Sequence, residues 1–213
     1  MGAHELSSSE VRVVFPAGTV LRNPVTGEYA RVVEHTAERA VGELLAVPGA
    51  AVAGPHIHPA QEERFEVVDG VMGYRLGDHR GELRIGEAVT VPPGMVHDWW
   101  NAGDGNLRAR VTVTPPGLFA GMIGAAWGLA VVGRTNAKGM PKLADAALLA
   151  ETFGNEIVFE RPPQAVQRAL AATVAPIARR RGRSVTGDIM RAAIVPAARW
   201  PHRDDPGTVT SRE

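Results

Sequence analysis

Short hydrophobic runs, many of them β-branched or alternating with polar residues, fill the first half of the chain, and Pro, Gly and polar residues separate them. Such runs at this spacing are typical of strands in an all-β sandwich or barrel. We expect a tight polar link between two of them at 77–81, with His79 in solvent. The predicted strands are 11–15, 28–35, 41–47, 52–58, 64–68, 71–76, 82–85, 88–91, 97–101 and 107–114.

A change of composition after Pro115 and Pro116 predicts helices in the second part of the chain. The apolar run 117–133 is rich in Gly and Ala and too short for a transmembrane span, which needs about 20 apolar residues. It is expected to pack on the β domain or at a subunit contact. Pro at the first turn marks two further helices, at 141–152 and 163–181. The predicted organisation is a flexible start at 1–10, a β domain at 11–116, a helical extension at 117–183 and a weakly structured tail at 184–213.

Four side chains in the segment 49–101 carry the candidate chemistry: His56, His58, Glu63 and His97. His56 and His58 lie two residues apart, and strand side chains alternate, so both point to the same side. A turn at Pro59 is expected to bring Glu63 back beside them. Three imidazole nitrogens and one carboxylate oxygen form a ligand set that suits a divalent first-row transition metal.

The spacing of these residues resembles the two signature motifs of the cupin superfamily. The first motif is matched by His56, His58, Glu63 and Gly70, separated by one, four and six residues. The second is matched by Gly86, Pro92, Gly94, His97 and Asn101, separated by five, one, two and three residues. Residues 71–85 join the two halves. One departure concerns the opening glycine of the first motif, because Gly49 lies one residue too far upstream and Gly54 lies too close.

This resemblance implies a mostly β fold, an antiparallel β-barrel of the jelly-roll or double-stranded β-helix type, followed by C-terminal α-helices. It also implies a metal held inside the barrel by His56, His58, Glu63 and His97. The helical addition resembles that of a group of stand-alone bacterial cupins with the segment His-x-His-Pro-x-Gln-Glu-Glu-Arg-Phe, found here at 56–65. That similarity extends to about residue 182.

Strand alternation also predicts which side chains lie beside the metal. Residues at even spacing from Glu63 and His97 face the same interior, and those between them, such as Glu66 and Asp98, point away. Glu62 should therefore be a surface or outer-layer carboxylate. The candidates for the substrate pocket are Phe65, Met95, Trp99 and Asn101. Phe65 and Trp99 are equally consistent with barrel core, but an apolar rim favours an aromatic or polyketide-like molecule over a sugar.

Composition and charge narrow the classes of partner. The 213 residues include 23 Lys and Arg and 23 Asp and Glu, so the net charge is zero and nothing indicates a general nucleic-acid binder. The basic run 179–183 is interpreted as a solvated helix end, because cations suit a helix C-terminus. The absence of Cys excludes a thiolate metal site. Because the start of the chain has no signal-like pattern, we expect a cytoplasmic protein. We also expect a homodimer that binds a small molecule and binds neither nucleic acid nor membrane.

Three functions remain open for such a site. Three His and one Glu leave coordination positions free, as in catalytic metal sites. With Fe(II), the first choice, these positions would support a dioxygenase or hydroxylase; with Zn(II), Ni(II) or Mn(II), they would support a redox-neutral isomerase, cyclase, dehydratase or decarboxylase. The third function is non-catalytic binding of a small molecule, and the complete ligand set counts against it. Beyond the metal ligands, the sequence identifies no catalytic residue.

Overall fold

In a computed structural model, the described residues 13–51, 54–154 and 156–201 form twelve strands and four α-helices. The strands are β1 (Val20–Asn23), β2 (Glu28–His35), β3 (Ala40–Ala46), β4 (His56–Ile57), β5 (Glu62–Asp69), β6 (Met72–Leu76), β7 (His79–Leu83), β8 (Ala88–Val91), β9 (His97–Asn101), β10 (Leu107–Thr114), β11 (Val158–Phe159) and β12 (Ile194–Val195). The helices are α1 (Phe119–Val131), α2 (Leu143–Phe153), α3 (Gln164–Arg180) and α4 (Asp188–Ala192), and a 3-10 turn follows at Ala197–Arg199.

The strands pair into two antiparallel sheets. One sheet has seven strands in the order β12-β1-β2-β3-β10-β5-β8, and the other has five in the order β11-β4-β9-β6-β7. Inward residues of both sheets, including Phe65, Met72, Leu107 and Trp99, share one buried core. The predicted fold class, mostly β with C-terminal helices, is confirmed.

Several predicted strands differ from the observed ones. No strand was predicted at β1, which is only four residues long. Residues 13–15 form no strand, and Phe15 instead packs its ring against α1. The link predicted at 77–81 is wrong beyond Gly77 and Asp78, since β7 already starts at His79 and pairs with β6. His79 itself is exposed, as expected. Only His56–Ile57 of the predicted strand 52–58 is a strand, and residues 52 and 53 lie outside the described residues.

The segment 184–201, predicted to be weakly structured, instead packs on the seven-stranded sheet. It supplies α4 and β12, and β12 pairs with β1 through Val195 opposite Val20. Trp200 is buried against Val20 and Leu45, and the guanidinium group of Arg31 lies 4.8 Å from its ring centroid. Burial of these apolar side chains explains why the segment packs on the sheet. Residues 202–213 of the predicted tail lie outside the described part of the chain.

Helix α1 is apolar on nearly all sides because it lies between β1 and the other helices. Its Trp127 joins the core between the sheets, and its Met122 and Leu129 join a second core with α2, α3 and α4. A side chain at Gly128 would place its Cβ 1.7 Å from the carbonyl oxygen of Ile189, so α4 can approach this closely only at a glycine. In the described residues, no helix is both long enough and apolar enough to cross a membrane.

Candidate metal centre

Both sheets contribute to the candidate metal centre. His56 lies on β4 directly opposite His97 on β9, in the five-stranded sheet. Glu63 lies on β5 of the seven-stranded sheet, and His58 follows β4 immediately. Because strand side chains alternate, these residues project into the space between the sheets.

The four side chains form one buried cluster. One donor atom from each of His56, His58, Glu63 and His97 can be chosen so that all lie within 4.8 Å of one another. None of the four residues is more than 4% exposed. A Glu63 carboxylate oxygen, Oε2, lies 3.1 Å from His97 Nε2 and 3.7 Å from His58 Nε2. The structure therefore brings together all four residues that the sequence predicts as ligands.

Backbone carbonyl groups orient the three imidazoles. Nδ1 of His56 lies 2.9 Å from the Gly54 oxygen, and Nδ1 of His97 lies 3.0 Å from the Met95 oxygen. Nδ1 of His58 lies 2.5 Å from the oxygen of Glu156. A carbonyl can only accept, so each Nδ1 carries the proton and donates it. When the imidazole is neutral, its Nε2 is then available for an ion, which is the arrangement that fixes metal-binding histidines in proteins.

The charge states within the cluster also fit a cation. Burial, followed by the neighbouring imidazoles of His97 and His58, lowers the pKa of His56 to about 3, so His56 is neutral. Burial alone would raise the pKa of Glu63, but the hydrogen bond from His97 and the surrounding imidazoles hold that pKa below its usual value. Burial opposes a charge on His97, yet its hydrogen bond to Glu63 raises its pKa above the usual value. An ion that binds Nε2 of His97 must therefore displace a proton.

Metal affinity should accordingly fall as the pH falls. A histidine must be neutral to bind a metal, and the reference pKa of histidine is about 6.5. The raised pKa of His97 means that proton competition is already present at that pH. Titrations with Co(II) or Zn(II) over a series of pH values should show affinity decreasing below about pH 6.5. Metal retained after dialysis against a chelator at about pH 4.5 would contradict an open site with three histidines.

A cavity of about 420 Å³ opens beside the cluster, and its lining includes His56, His58 and Glu63. Phe65 and Trp99 also line it, and their role as substrate-pocket residues stays a prediction. Their ring centroids lie 6.5 Å apart. Most of the remaining lining is apolar.

Two predicted pocket residues lie elsewhere. Among the described residues that line the cavity, neither Met95 nor Asn101 occurs. Met95 is 38% exposed, and its backbone oxygen accepts the hydrogen bond from His97 Nδ1. Asn101 is buried, but its Nδ2 donates to the Ala46 and Gly105 oxygens at 2.9 and 2.8 Å, so it fixes loops. Their assignment to the substrate pocket finds no support in this cavity, because alternation identifies the inward side of a strand but not which inward residues reach the cavity, and Met95 precedes β9.

Residues that follow the β domain contact the four clustered side chains, and the sequence did not predict these contacts. Strand β11 pairs with β4 and places Phe159 opposite His56, with ring centroids 6.1 Å apart. The ring of Phe119, at the start of α1, lies 5.6 Å from that of His58. Gln61 Nε2 donates to the side chain of Glu156, the residue whose backbone orients His58. Gln61 lies within the segment 56–65, which carries the resemblance described above. No pattern in the sequence marked its distant partner Glu156. Glu62 is exposed, as expected.

Comparison with known proteins identifies the class. The family model described as a cupin domain matches residues 43–114, the segment that carries all four clustered residues. The protein therefore contains a cupin domain at residues 43–114. No curated protein matches the chain significantly.

Solved structures with a similar fold cover about half of the chain. A conserved protein with a double-stranded β-helix domain from Klebsiella pneumoniae is 25% identical, covers 54% of this chain and 91% of its own, and has a TM-score of 0.38. An RmlC-like cupin from Shewanella frigidimarina is 17% identical, with 54% and 92% coverage and a TM-score of 0.41. KdgF from Halomonas sp. is 22% identical, with 41% and 79% coverage and a TM-score of 0.38. Similarity at this level carries no conclusion about activity.

Proposed function

We propose that the protein is a metal-dependent enzyme that acts on a small organic molecule, with Fe(II)-dependent oxygenase chemistry as the favoured reaction class. The observation that carries this proposal is a complete set of four buried donors beside an apolar cavity. Three imidazoles and a carboxylate without sulfur suit Fe(II), and also Zn(II), Ni(II) or Mn(II). A bound Fe(II) would supply the reductive activation of O₂, which amino-acid side chains cannot provide.

The residues of the chain have distinct tasks in this proposal. His56, His58, Glu63 and His97 would together hold the ion; the first three line the cavity, and His97 is 1% exposed. The substrate would then approach from the cavity. Phe65, Trp99 and Phe119 line the space next to the donors and exclude water from it. Such a wall fits an aromatic or polyketide-like substrate better than a sugar. We propose a homodimer as the assembly.

Nitric oxide binding tests a requirement of the oxygenase proposal, an open position on Fe(II), without knowledge of the substrate. Anaerobic Fe(II)-loaded protein should bind nitric oxide, a surrogate for O₂, and give the electron paramagnetic resonance signal of an Fe(II)–nitrosyl centre. The Glu62→Gln variant is the matched control and should give the same signal, because Glu62 is exposed. Protein that contains one Fe(II) per chain but binds no nitric oxide contradicts the oxygenase proposal.

The two other functions predict different outcomes once a substrate is found. A redox-neutral Lewis-acid enzyme would turn it over equally well with Zn(II) or Ni(II) and without O₂. A binding protein would hold its ligand with unchanged affinity after removal of the metal, and no metal would restore turnover. The oxygenase instead consumes O₂ in proportion to product.

A further inference from the structure

The cavity beside the metal centre extends to a second polar group of residues. Besides His56, His58 and Glu63, its lining includes Glu28 and the neighbouring Asn23 and Thr26 at the β1–β2 turn. The strand register places these two polar regions far apart. Glu63 pairs with Val113, which pairs with Ala40, which pairs with His35 at the far end of β2 from Glu28. Glu28 and His35 are seven residues apart on β2, and at about 3.3 Å per residue this separates the level of Glu28 from that of Glu63 by roughly 20 Å.

Much of the wall between the two ends is apolar. Ala30, Val32 and Leu44 contribute to it on the sheet side, and Ile123 and Trp127 contribute to it on α1. Helix α1 starts at Phe119 beside His58 and has 13 residues, so it spans about 20 Å at 1.5 Å per residue. The cavity is thus long, with a polar group of residues at each end.

Glu28 has unusual surroundings for a carboxyl group. It is 4% exposed, and Thr26 Oγ1 donates to its Oε2 at 2.5 Å. Among the described residues, no cation forms a salt bridge with it and nothing donates to its Oε1. Burial raises the pKa of Glu28 to about 7, against the opposing effect of the hydrogen bond from Thr26. A buried carboxyl without a cation is held in its protonated form, which has one O–H to donate.

We propose that Glu28 is a second anchor of this cavity, at which its carboxylic acid donates a hydrogen bond to a neutral oxygen acceptor on a long and otherwise apolar ligand. The other end of that ligand faces His56, His58 and Glu63. The inference rests on the proposed function, because it takes the ligand to be the substrate of the metal centre. It narrows the substrate class to elongated molecules with a ketone or similar neutral oxygen distant from the reacting end.

Two matched probes test the anchor. Both dodecanoate and 11-oxododecanoate carry a carboxylate for the metal end, and only the second carries a ketone near its other end. A ketone oxygen can accept a hydrogen bond but cannot donate one, so it reports on a donor. Binding to Zn(II)-loaded protein can be followed by calorimetry or by the fluorescence of Trp99 and Trp127, which line the cavity. At about pH 6 the protein should bind the ketone probe at least severalfold more tightly than dodecanoate, as expected for one hydrogen bond in place of water.

Substitutions at Glu28 distinguish hydrogen-bond donation by this side chain from its packing against the ligand. Glu28→Leu should reverse the preference, because the buried ketone would then have no donor, and Glu28→Gln should keep it, because an amide also donates. At about pH 8.5 the unsubstituted protein should lose the preference, since ionised Glu28 cannot donate, while Glu28→Gln should retain it. Exposed Glu38→Leu is the control and should change nothing.

The other charged or titratable groups on the cavity wall are Arg31, Glu34, His35, Glu43, Lys138 and Arg161. They are present in Glu28→Gln as well, so a pH effect arising from them would appear in both proteins.

The ratio of the two affinities tests the anchor separately from the metal centre, because both probes share the same carboxylate. Equal affinities in the unsubstituted protein, binding of neither probe, or a preference that survives in Glu28→Leu would overturn the anchor. If Glu28→Leu does not fold, the loss of preference at high pH in the unsubstituted protein but not in Glu28→Gln decides the question. If removal of the metal weakens neither probe while the ratio follows Glu28, the anchor stands and the proposed metal-dependent function fails.

Discussion

His97→Ala should lose most of the metal-binding capacity and leave a folded barrel. The substitution removes one of four donors, and changes to groups that merely orient metal ligands already cost 10-fold to 100-fold in affinity. We therefore expect a loss of about 100-fold or more. The strand should persist, because β9 is held by backbone pairing to β4 and β6.

Metal titration and thermal melting followed by circular dichroism measure the two halves of this prediction. His79→Ala is the matched control, since His79 is exposed on β7 of the same sheet and lies outside the cluster. It should bind metal like the unsubstituted protein. Wholesale unfolding of His97→Ala would indicate that the ion or the histidine is structural, and the catalytic proposal would be wrong.

Glu63→Gln should lower metal affinity far more than Glu62→Gln. Glu63 is 4% exposed, and its carboxylate contacts His58 and His97, whereas the adjacent Glu62 is exposed. The amide keeps the size of the side chain but removes the negative charge, and an amide is a weaker ligand for a transition metal. We expect a loss of about 10-fold to 100-fold for Glu63→Gln and no measurable change for Glu62→Gln.

Parallel titrations of the two variants with Co(II) provide the comparison, and their melting curves show whether both are folded. Equal losses would mean that the turn at Pro59 places both carboxylates on the ion. An unchanged affinity for Glu63→Gln would remove the carboxylate from the ligand set.

The sequence predicted the site better than its surroundings, for physical reasons. His56, His58 and Glu63 lie within one short segment, where strand alternation and a turn determine which way side chains point. His97 follows the Pro-Gly corner of the second motif, so its placement is also local. Phe65 and Trp99 were predicted by the same alternation.

What the sequence did not reveal depends on contacts between distant segments. Glu156 orients His58 from 98 positions away, and no local pattern links the two residues. β11 and β12 are each two residues long, and they form by pairing with β4 and β1, which are distant in the sequence. Glu28 was predicted only as the first residue of a strand. Its position on the cavity wall is set by distant segments, since β1, α1 and the loop before α2 line the same cavity.

Metal content tests the four-ligand centre most directly. Protein purified without added metal, stripped with a chelator and then titrated with Fe(II), Co(II) or Zn(II) should bind one ion per chain. The variants His56→Ala, His58→Ala, Glu63→Gln and His97→Ala should each bind it far more weakly while remaining folded. If the folded protein binds none of these ions, or if all four variants bind them as tightly as the unsubstituted protein does, the cluster of His56, His58, Glu63 and His97 is not a metal centre.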